Sequence, residues 1–86
     1  MKIRLSSHAL ERLRERGIER KVLNDAIQFP DKLEVSRAKS SRFLIKKVYY
    51  HEILKKDHLL IVICEKEKDT VTVITVIDTS KISKYF

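Results

Sequence analysis

Residues 59–64 read Leu-Leu-Ile-Val-Ile-Cys and form the longest uninterrupted apolar run in the chain. Successive side chains of a β-strand point to opposite faces of the sheet, so this run is apolar on both faces. A strand of that kind needs cover on both sides. The run therefore predicts a buried central strand, around which the other elements are arranged.

Two more runs rich in β-branched and aromatic residues flank the central one. The turns between the three runs are predicted at Lys55–Asp57 and Lys66–Asp69. Connections this short join antiparallel neighbours, so the second half of the chain is predicted to be an antiparallel meander. The predicted strands, including two shorter ones, are Met1–Leu5, Lys32–Val35, Phe43–Leu54, His58–Glu65 and Val71–Asp78.

The first half of the chain has helical periodicity. Ser6 or Ser7 can cap a helix, and Gly17 supplies the left-handed residue that commonly follows a helix end. These signals predict a first helix over Ser7–Arg16. A second helix follows and stops before Pro30. Its apolar residues recur at helical spacing, at Val22, Leu23, Ala26 and Ile27.

These elements predict a single α+β domain over residues 1–86, with two N-terminal helices in a hairpin packed on a three- to four-stranded antiparallel sheet. A chain of 86 residues builds one modest core, which excludes large enzymes with a separate cofactor domain. The helix pair covers only one face of the central strand. Three alternatives remain for the other face: a homodimer mate, a different protein, or the C-terminal residues Ile82, Tyr85 and Phe86.

The composition predicts a soluble, cytoplasmic protein. Cys64 is the single cysteine, which excludes an intramolecular disulfide and fits a reducing compartment. No apolar stretch reaches the length of a secretory or membrane-spanning segment. Twelve lysines and ten isoleucines, beside one glycine and one methionine, are typical of a thermophile.

The chain carries 19 basic and 12 acidic side chains, a formal net charge of +7. Such a surface attracts polyanions, which favours nucleic acid, an anionic membrane or an acidic protein as the partner. All seven arginines lie between Arg4 and Arg42, and the guanidinium fork suits phosphate. The alternative is a surface of ion pairs, because acidic residues alternate with these arginines at Glu11, Glu15 and Glu19.

One side of the first helix carries a candidate site. With His8 at 0° on the helical wheel, Arg12 lies at about 40° and Arg16 at about 80°. The apolar stripe begins beside them at Ala9 and Leu13, so the three side chains follow the edge where the helix meets its sheet. Two permanent cations can neutralise a phosphodiester while an imidazole moves a proton. The alternative is a boundary histidine beside two arginines whose stems pack on the interface.

The string Ser-His-Ala-x-x-Arg-x-x-x-Arg-Gly-Ile over residues 7–18 precedes a second helix and a β-rich second half. Here the chain resembles an uncharacterised family of small bacterial and archaeal domains related to RelE- and ParE-like toxins, in the barnase–EndoU–colicin–RelE ribonuclease superfamily. The resemblance implies a RelE-like fold and metal-independent RNA cleavage, in which the ribose 2′-hydroxyl attacks the neighbouring phosphate. It implies His8 as acid or base, Arg12 as a phosphate ligand and Arg16 as a third member of the site.

Seven further residues extend the predicted site towards nucleic-acid binding. Three lie in the basic loop at residues 36–42, after the predicted strand Lys32–Val35, and one lies in the last long strand. The other three lie in the C-terminal tail, which resembles the basic and aromatic ending of RelE-type toxins. In chain order the seven are Arg37, Lys39, Arg42, Thr75, Lys81, Lys84 and Tyr85. His8 is a departure from the toxin pattern, since well-studied RelE-type enzymes lack this helix-one histidine.

The partners implied by the resemblance are RNA, with dependence on the ribosome left open, and a small acidic antitoxin protein. We expect no cofactor and no membrane partner. We also expect no metal site, because His58 and Cys64 lack the further converging ligands that zinc requires. His51 and His58 are expected at strand ends. The alternative function is a non-catalytic basic module of the same fold that binds RNA or, like ParE-type toxins, acts on a protein.

Overall fold

The structure is a computed structural model that describes residues 2–86. Within these residues no helix is long and apolar enough to cross a membrane. The elements in chain order are β1 (Lys2–Leu5), α1 (Ser7–Arg16), α2 (Arg20–Gln28), β2 (Lys32–Val35), β3 (Arg42–His51), β4 (Lys56–Glu67), β5 (Thr70–Thr79) and α3 (Ile82–Tyr85).

All strands of this part of the chain form one sheet in the order β1-β5-β4-β3-β2. The run 59–64 lies in β4, the central strand, and residues 58–62 are all buried. β2 to β5 pair antiparallel with their neighbours. β1 instead pairs parallel with β5, with Leu5 opposite Val73.

The expected RelE-like arrangement, two N-terminal helices on a three- to four-stranded antiparallel sheet, is wrong. The sheet has five strands among the described residues and is mixed, β1 precedes the helices, and α3 follows the last strand. A four-residue strand carries no local signal for its partner, and β1 finds that partner at the opposite end of the chain. Met1, which the predicted first strand included, lies outside the described residues.

α1 has the bounds that the sequence predicts. Ser6 caps its first turn, since its Oγ accepts from the Ala9 N–H at 3.0 Å and donates to the Ile74 carbonyl at 2.6 Å. Gly17 ends the helix in the left-handed conformation with φ 65°. The cap therefore also attaches the start of α1 to β5.

Both helices pack on the same face of the sheet, called here the helix face. Ala9 and Leu13 of α1 and Leu23 and Ala26 of α2 are buried in this interface. Full burial of a leucine-sized side chain contributes about 1.5 to 3 kcal/mol. Their partners in the sheet core are Ile45, Leu60, Val62, Cys64, Val71, Val73 and Val76.

The opposite face of the sheet is called here the tail face. Leu59 and Ile61 are buried on it, and α3 packs there against β4. The Nζ of Lys32 donates to the Phe86 carbonyl at 2.8 Å and holds the end of the chain in place. Of the three alternatives for this face, the chain's own C-terminal residues therefore cover its centre.

Candidate functional site

His8, Arg12 and Arg16 lie along one side of α1, and this trio is called here the α1 row. His8 and Arg16 are exposed, whereas Arg12 is half-buried at the boundary with the sheet. Within residues 2–86 none of the three side chains forms an ion pair, not even with the interleaved glutamates. The ion-pair alternative therefore does not describe this side of α1.

The α1 row lies on a helix that contacts β5. β1 pairs with β5 only as far as Val73, so in the described chain residues 74–79 of β5 have no neighbouring strand on that side. Thr75 lies in this free segment and is half-buried. A free strand edge presents backbone N–H groups, which can donate hydrogen bonds to phosphate oxygens.

A cavity of about 470 Å³ lies between the end of α1 and the turn that joins β3 to β4. Arg16, His51 and Asp78 supply polar groups to its lining. His8 and Arg12 are not among the lining residues. The α1 row is therefore divided, with Arg16 at this cavity and the exposed His8 and half-buried Arg12 outside it.

Beneath this end of α1 lies a buried polar cluster that the sequence did not predict. Asp78 accepts from the Tyr49 hydroxyl at 2.6 Å and from His58 Nδ1 at 3.0 Å. Because the carboxylate only accepts, His58 carries its proton on Nδ1. Its Nε2 is buried and has no hydrogen-bond partner among the described residues. Burial, followed by the bond to Asp78, raises the pKa of Tyr49 above its usual value.

His51 joins the cluster to the end of α1. Its Nε2–H donates to the Arg16 carbonyl at 3.1 Å, and its Nδ1 accepts from the Leu54 N–H at 3.3 Å. In this arrangement Nε2 is the donor nitrogen of the ring and Nδ1 is the acceptor. Its ring centroid lies 4.9 Å from that of His58. The role of His51 is to hold the α1 end against the β3–β4 turn.

The sequence does not reveal this cluster, because its pattern predicts the β3–β4 turn at Lys55–Asp57 and the turn lies at residues 52–55. Apolar residues Ile53 and Leu54 extend the strand pattern, yet they are 69% and 55% exposed and belong to the turn at residues 52–55. The actual turn places Tyr49 directly opposite His58. A turn at Lys55–Asp57 would pair Tyr49 with the apolar run 59–64 instead. The observed register of β3 against β4 is therefore what places Tyr49 beside His58.

The predicted nucleic-acid loop is mostly engaged by the protein itself. Lys39 Nζ lies 2.7 Å and Arg42 Nη2 3.0 Å from the carboxylate oxygens of Glu65. Hydrogen bonds from Lys39 and then from Arg42 lower the pKa of Glu65. Arg37 is exposed and forms no ion pair within the described part of the chain. Of the three predicted loop cations, Arg37 is therefore the one without an ion pair among residues 2–86.

The predicted tail residues Lys81, Lys84 and Tyr85 are exposed. Lys84 Nζ lies over the ring of Tyr85, 5.3 Å from its centroid. α3 packs on the tail face and the α1 row lies on the helix face, so the sheet separates them. The structure therefore does not bring the tail together with His8 and Arg12.

In the described chain no group of three or more His, Cys, Asp or Glu side chains is placed to hold a metal ion. Cys64 is buried in the core beside the helix face. Burial raises the pKa of its thiol to about 11, so the thiolate needed by a nucleophile or metal ligand is scarce at neutral pH.

The sequence matches a known protein family. Residues 5–78 match the family model described as "Domain of unknown function (DUF4258)". No curated protein and no solved structure matches the chain. The matched segment begins at the end of β1 and includes α1 and the buried polar cluster. Because the match covers most of its length, the chain belongs to the DUF4258 family.

Proposed function

We propose that this domain binds RNA through the α1 row and cleaves it without a metal, as a toxin-type endoribonuclease. His8 moves a proton, and Arg12 and Arg16 neutralise the phosphate. One observation carries the proposal: three side chains suited to a phosphodiester share one side of a helix, reach the surface and have no ion-pair partner among residues 2–86.

The reaction sets clear chemical requirements. A base takes the proton of the ribose 2′-hydroxyl, an acid protonates the departing 5′-oxygen, and cations stabilise the pentacovalent phosphate. An imidazole can do either proton transfer, and such help typically contributes about 10² to 10⁴ in rate. One well-placed donor to developing charge contributes about 10² to 10³. His8 fits a proton transfer, and Arg12 fits the stabilisation of the pentacovalent phosphate.

Two further features support the proposal. The motif over residues 7–18 resembles that of domains related to RelE- and ParE-like toxins, and the net charge of +7 favours a polyanionic substrate. Toxins of this type occur with an antitoxin. A strongly basic toxin attracts an acidic protein, so the proposal includes a small acidic antitoxin as partner.

The test is RNA cleavage in the presence of EDTA. Single-stranded and hairpin RNA are incubated with the native protein, His8→Ala and Arg12→Ala. Arg20→Ala is the matched control, because it removes the same charge from an exposed position on α2. We expect native cleavage to leave a 2′,3′-cyclic phosphate, and His8→Ala to be at least about 100-fold slower.

Arg20→Ala is expected to cleave at close to the native rate. Equal rates for the native protein and His8→Ala contradict the assignment of His8. Absence of cleavage by the native protein on every RNA contradicts the enzymatic proposal.

A second candidate function is RNA binding without cleavage. It is favoured by the absence of an orienting partner for His8, whose side chain forms no hydrogen bond to the rest of the described chain. A catalytic base is usually held in place by a third group. Salt-sensitive binding of RNA that remains intact would assign this function.

A further inference from the structure

α1 and α2 leave part of the helix face open. The open part is a groove of about 590 Å³ that runs across the sheet from β1 to β2. It is called here the apolar groove. Its apolar lining residues include Ile3, Ile27, Leu33, Val35, Phe43 and Val71.

Several of these side chains are strongly exposed for their type. Leu33 is 59%, Val35 65% and Ile3 44% exposed, and all three lie on the two edge strands of the sheet. α3 lies on the tail face and does not cover them. Large apolar side chains that share one surface depression mark an interaction site more often than a solvated surface.

The rim of the groove is basic. Lys66 and Lys68 line it at the end of β4 and in the following turn, and neither forms an ion pair within residues 2–86. The facing wall is the end of α2 with Pro30. An apolar floor with a positive rim is complementary to an apolar stripe flanked by carboxylates.

The dimensions of the groove indicate a helix as the occupant. Five strands spaced by about 4.8 Å span about 19 Å, which a helix of about 13 residues crosses at 1.5 Å per residue. A small ligand is a poorer fit, because ligand sites bury most of the ligand and this groove is open along its edge strands. A second copy would bring another net charge of +7 against the lysine rim.

We propose that the apolar groove binds an acidic amphipathic helix of another protein. Apolar residues of that helix at positions i, i+3, i+4 and i+7 fill the groove, and its carboxylates bind Lys66 and Lys68. The inference deepens the proposed pairing with an acidic partner and rests on the proposed function only for that partner's role as antitoxin. The groove itself is separate from the α1 row.

Synthetic peptides of about 14 residues test the proposal. The probe carries leucine at helical spacing with glutamate on the other faces, and the reference peptide replaces each glutamate with lysine. Binding is measured by fluorescence anisotropy. We expect the acidic peptide to bind at least tenfold more tightly than the basic one, and its affinity to fall at least tenfold in Leu33→Asp and in the double variant Lys66→Glu, Lys68→Glu.

Ile77→Asp is the matched control, because Ile77 is an exposed apolar residue of the tail face and should leave peptide affinity unchanged. Circular dichroism checks that each variant is folded. We expect Leu33→Asp to fold, because Leu33 is exposed. Equal affinity for the two peptides, or native affinity in Leu33→Asp, contradicts the proposal. So does a dimer of the unliganded protein in sedimentation velocity that Leu33→Asp dissociates.

The same variant separates this inference from the proposed function. Leu33→Asp is expected to retain RNA binding and cleavage, since no member of the α1 row lines the groove. Conversely, His8→Ala is expected to retain binding of the acidic peptide.

Discussion

Asp78 connects three strands through one carboxylate. It lies on β5, and its two donors, Tyr49 and His58, lie on β3 and β4. A buried carboxylate without partners would be strongly unfavourable, whereas two donors offset the loss of water. His58 Nε2 is left buried and without a partner among the described residues, so the cluster is satisfied on the Asp78 side only.

Removal of the Tyr49 hydroxyl tests this cluster. Tyr49→Phe keeps the ring but removes one donor to a charged acceptor, so we expect the free energy of unfolding to fall by about 1 to 3 kcal/mol at neutral pH. Tyr50→Phe is the control, because Tyr50 is exposed and its hydroxyl forms no hydrogen bond among residues 2–86. Urea unfolding of the three proteins measures the difference.

The same pair of variants gives the pH dependence. Burial and the bond to Asp78 raise the pKa of Tyr49, so the native state binds the phenol proton more tightly than the unfolded chain. The stabilisation by Tyr49 is therefore complete below the pKa of an unfolded tyrosine, about 10, and declines as pH rises above it. The gap between native and Tyr49→Phe should narrow above pH 10. A gap that widens there, or one matched by Tyr50→Phe, contradicts the assignment.

At the scale of elements, the joint between α1 and α2 depends on Gly17. Its φ of 65° is accessible to glycine without penalty, and a Cβ at this position would lie 2.7 Å from Ile53 Cδ1 in the β3–β4 turn. His51 holds the same turn to the Arg16 carbonyl. Two elements distant in sequence therefore meet at one residue without a side chain.

Gly17→Ala is expected to lower the free energy of unfolding by about 1 to 2 kcal/mol through the left-handed backbone alone, and by more through the contact with Ile53. Ile53→Ala in the same background should recover only the contact part. Thermal unfolding of the two single variants and the double variant measures this coupling. Strict additivity of the two changes would show that the close approach costs nothing.

Features that depend on nearby residues could be predicted from the sequence, and features that depend on distant residues could not. α1 could be predicted fully, because its cap at Ser6 and its end at Gly17 are local. β1 could not be paired correctly, because its partner β5 is decided by distant packing. The buried polar cluster could not be predicted either, since the apolar residues Ile53 and Leu54 hide the true turn and with it the register.

At the scale of the whole molecule, the sheet divides the surface into two sides. The helix face carries the α1 row and the apolar groove, and the tail face carries α3 with the predicted tail residues. The sequence predicts the cations but not their pairing. It therefore treats the basic loop and the α1 row alike, whereas the structure engages Lys39 and Arg42 with Glu65 and leaves Arg12 free of ion pairs in the described chain.

That contrast predicts how RNA affinity responds to salt. Each phosphate neutralised on a single strand contributes about 0.7 to the slope of log K against log salt concentration, because the bound cation releases a counterion. Arg12→Ala should therefore lower the slope by about this amount, as measured by filter binding to unstructured RNA. Lys39→Ala removes the same formal charge but should lower the slope by less, since Lys39 is already ion-paired with Glu65. Equal reductions in both variants would mean that the charge of the whole molecule, and not the free cations of α1, holds the RNA.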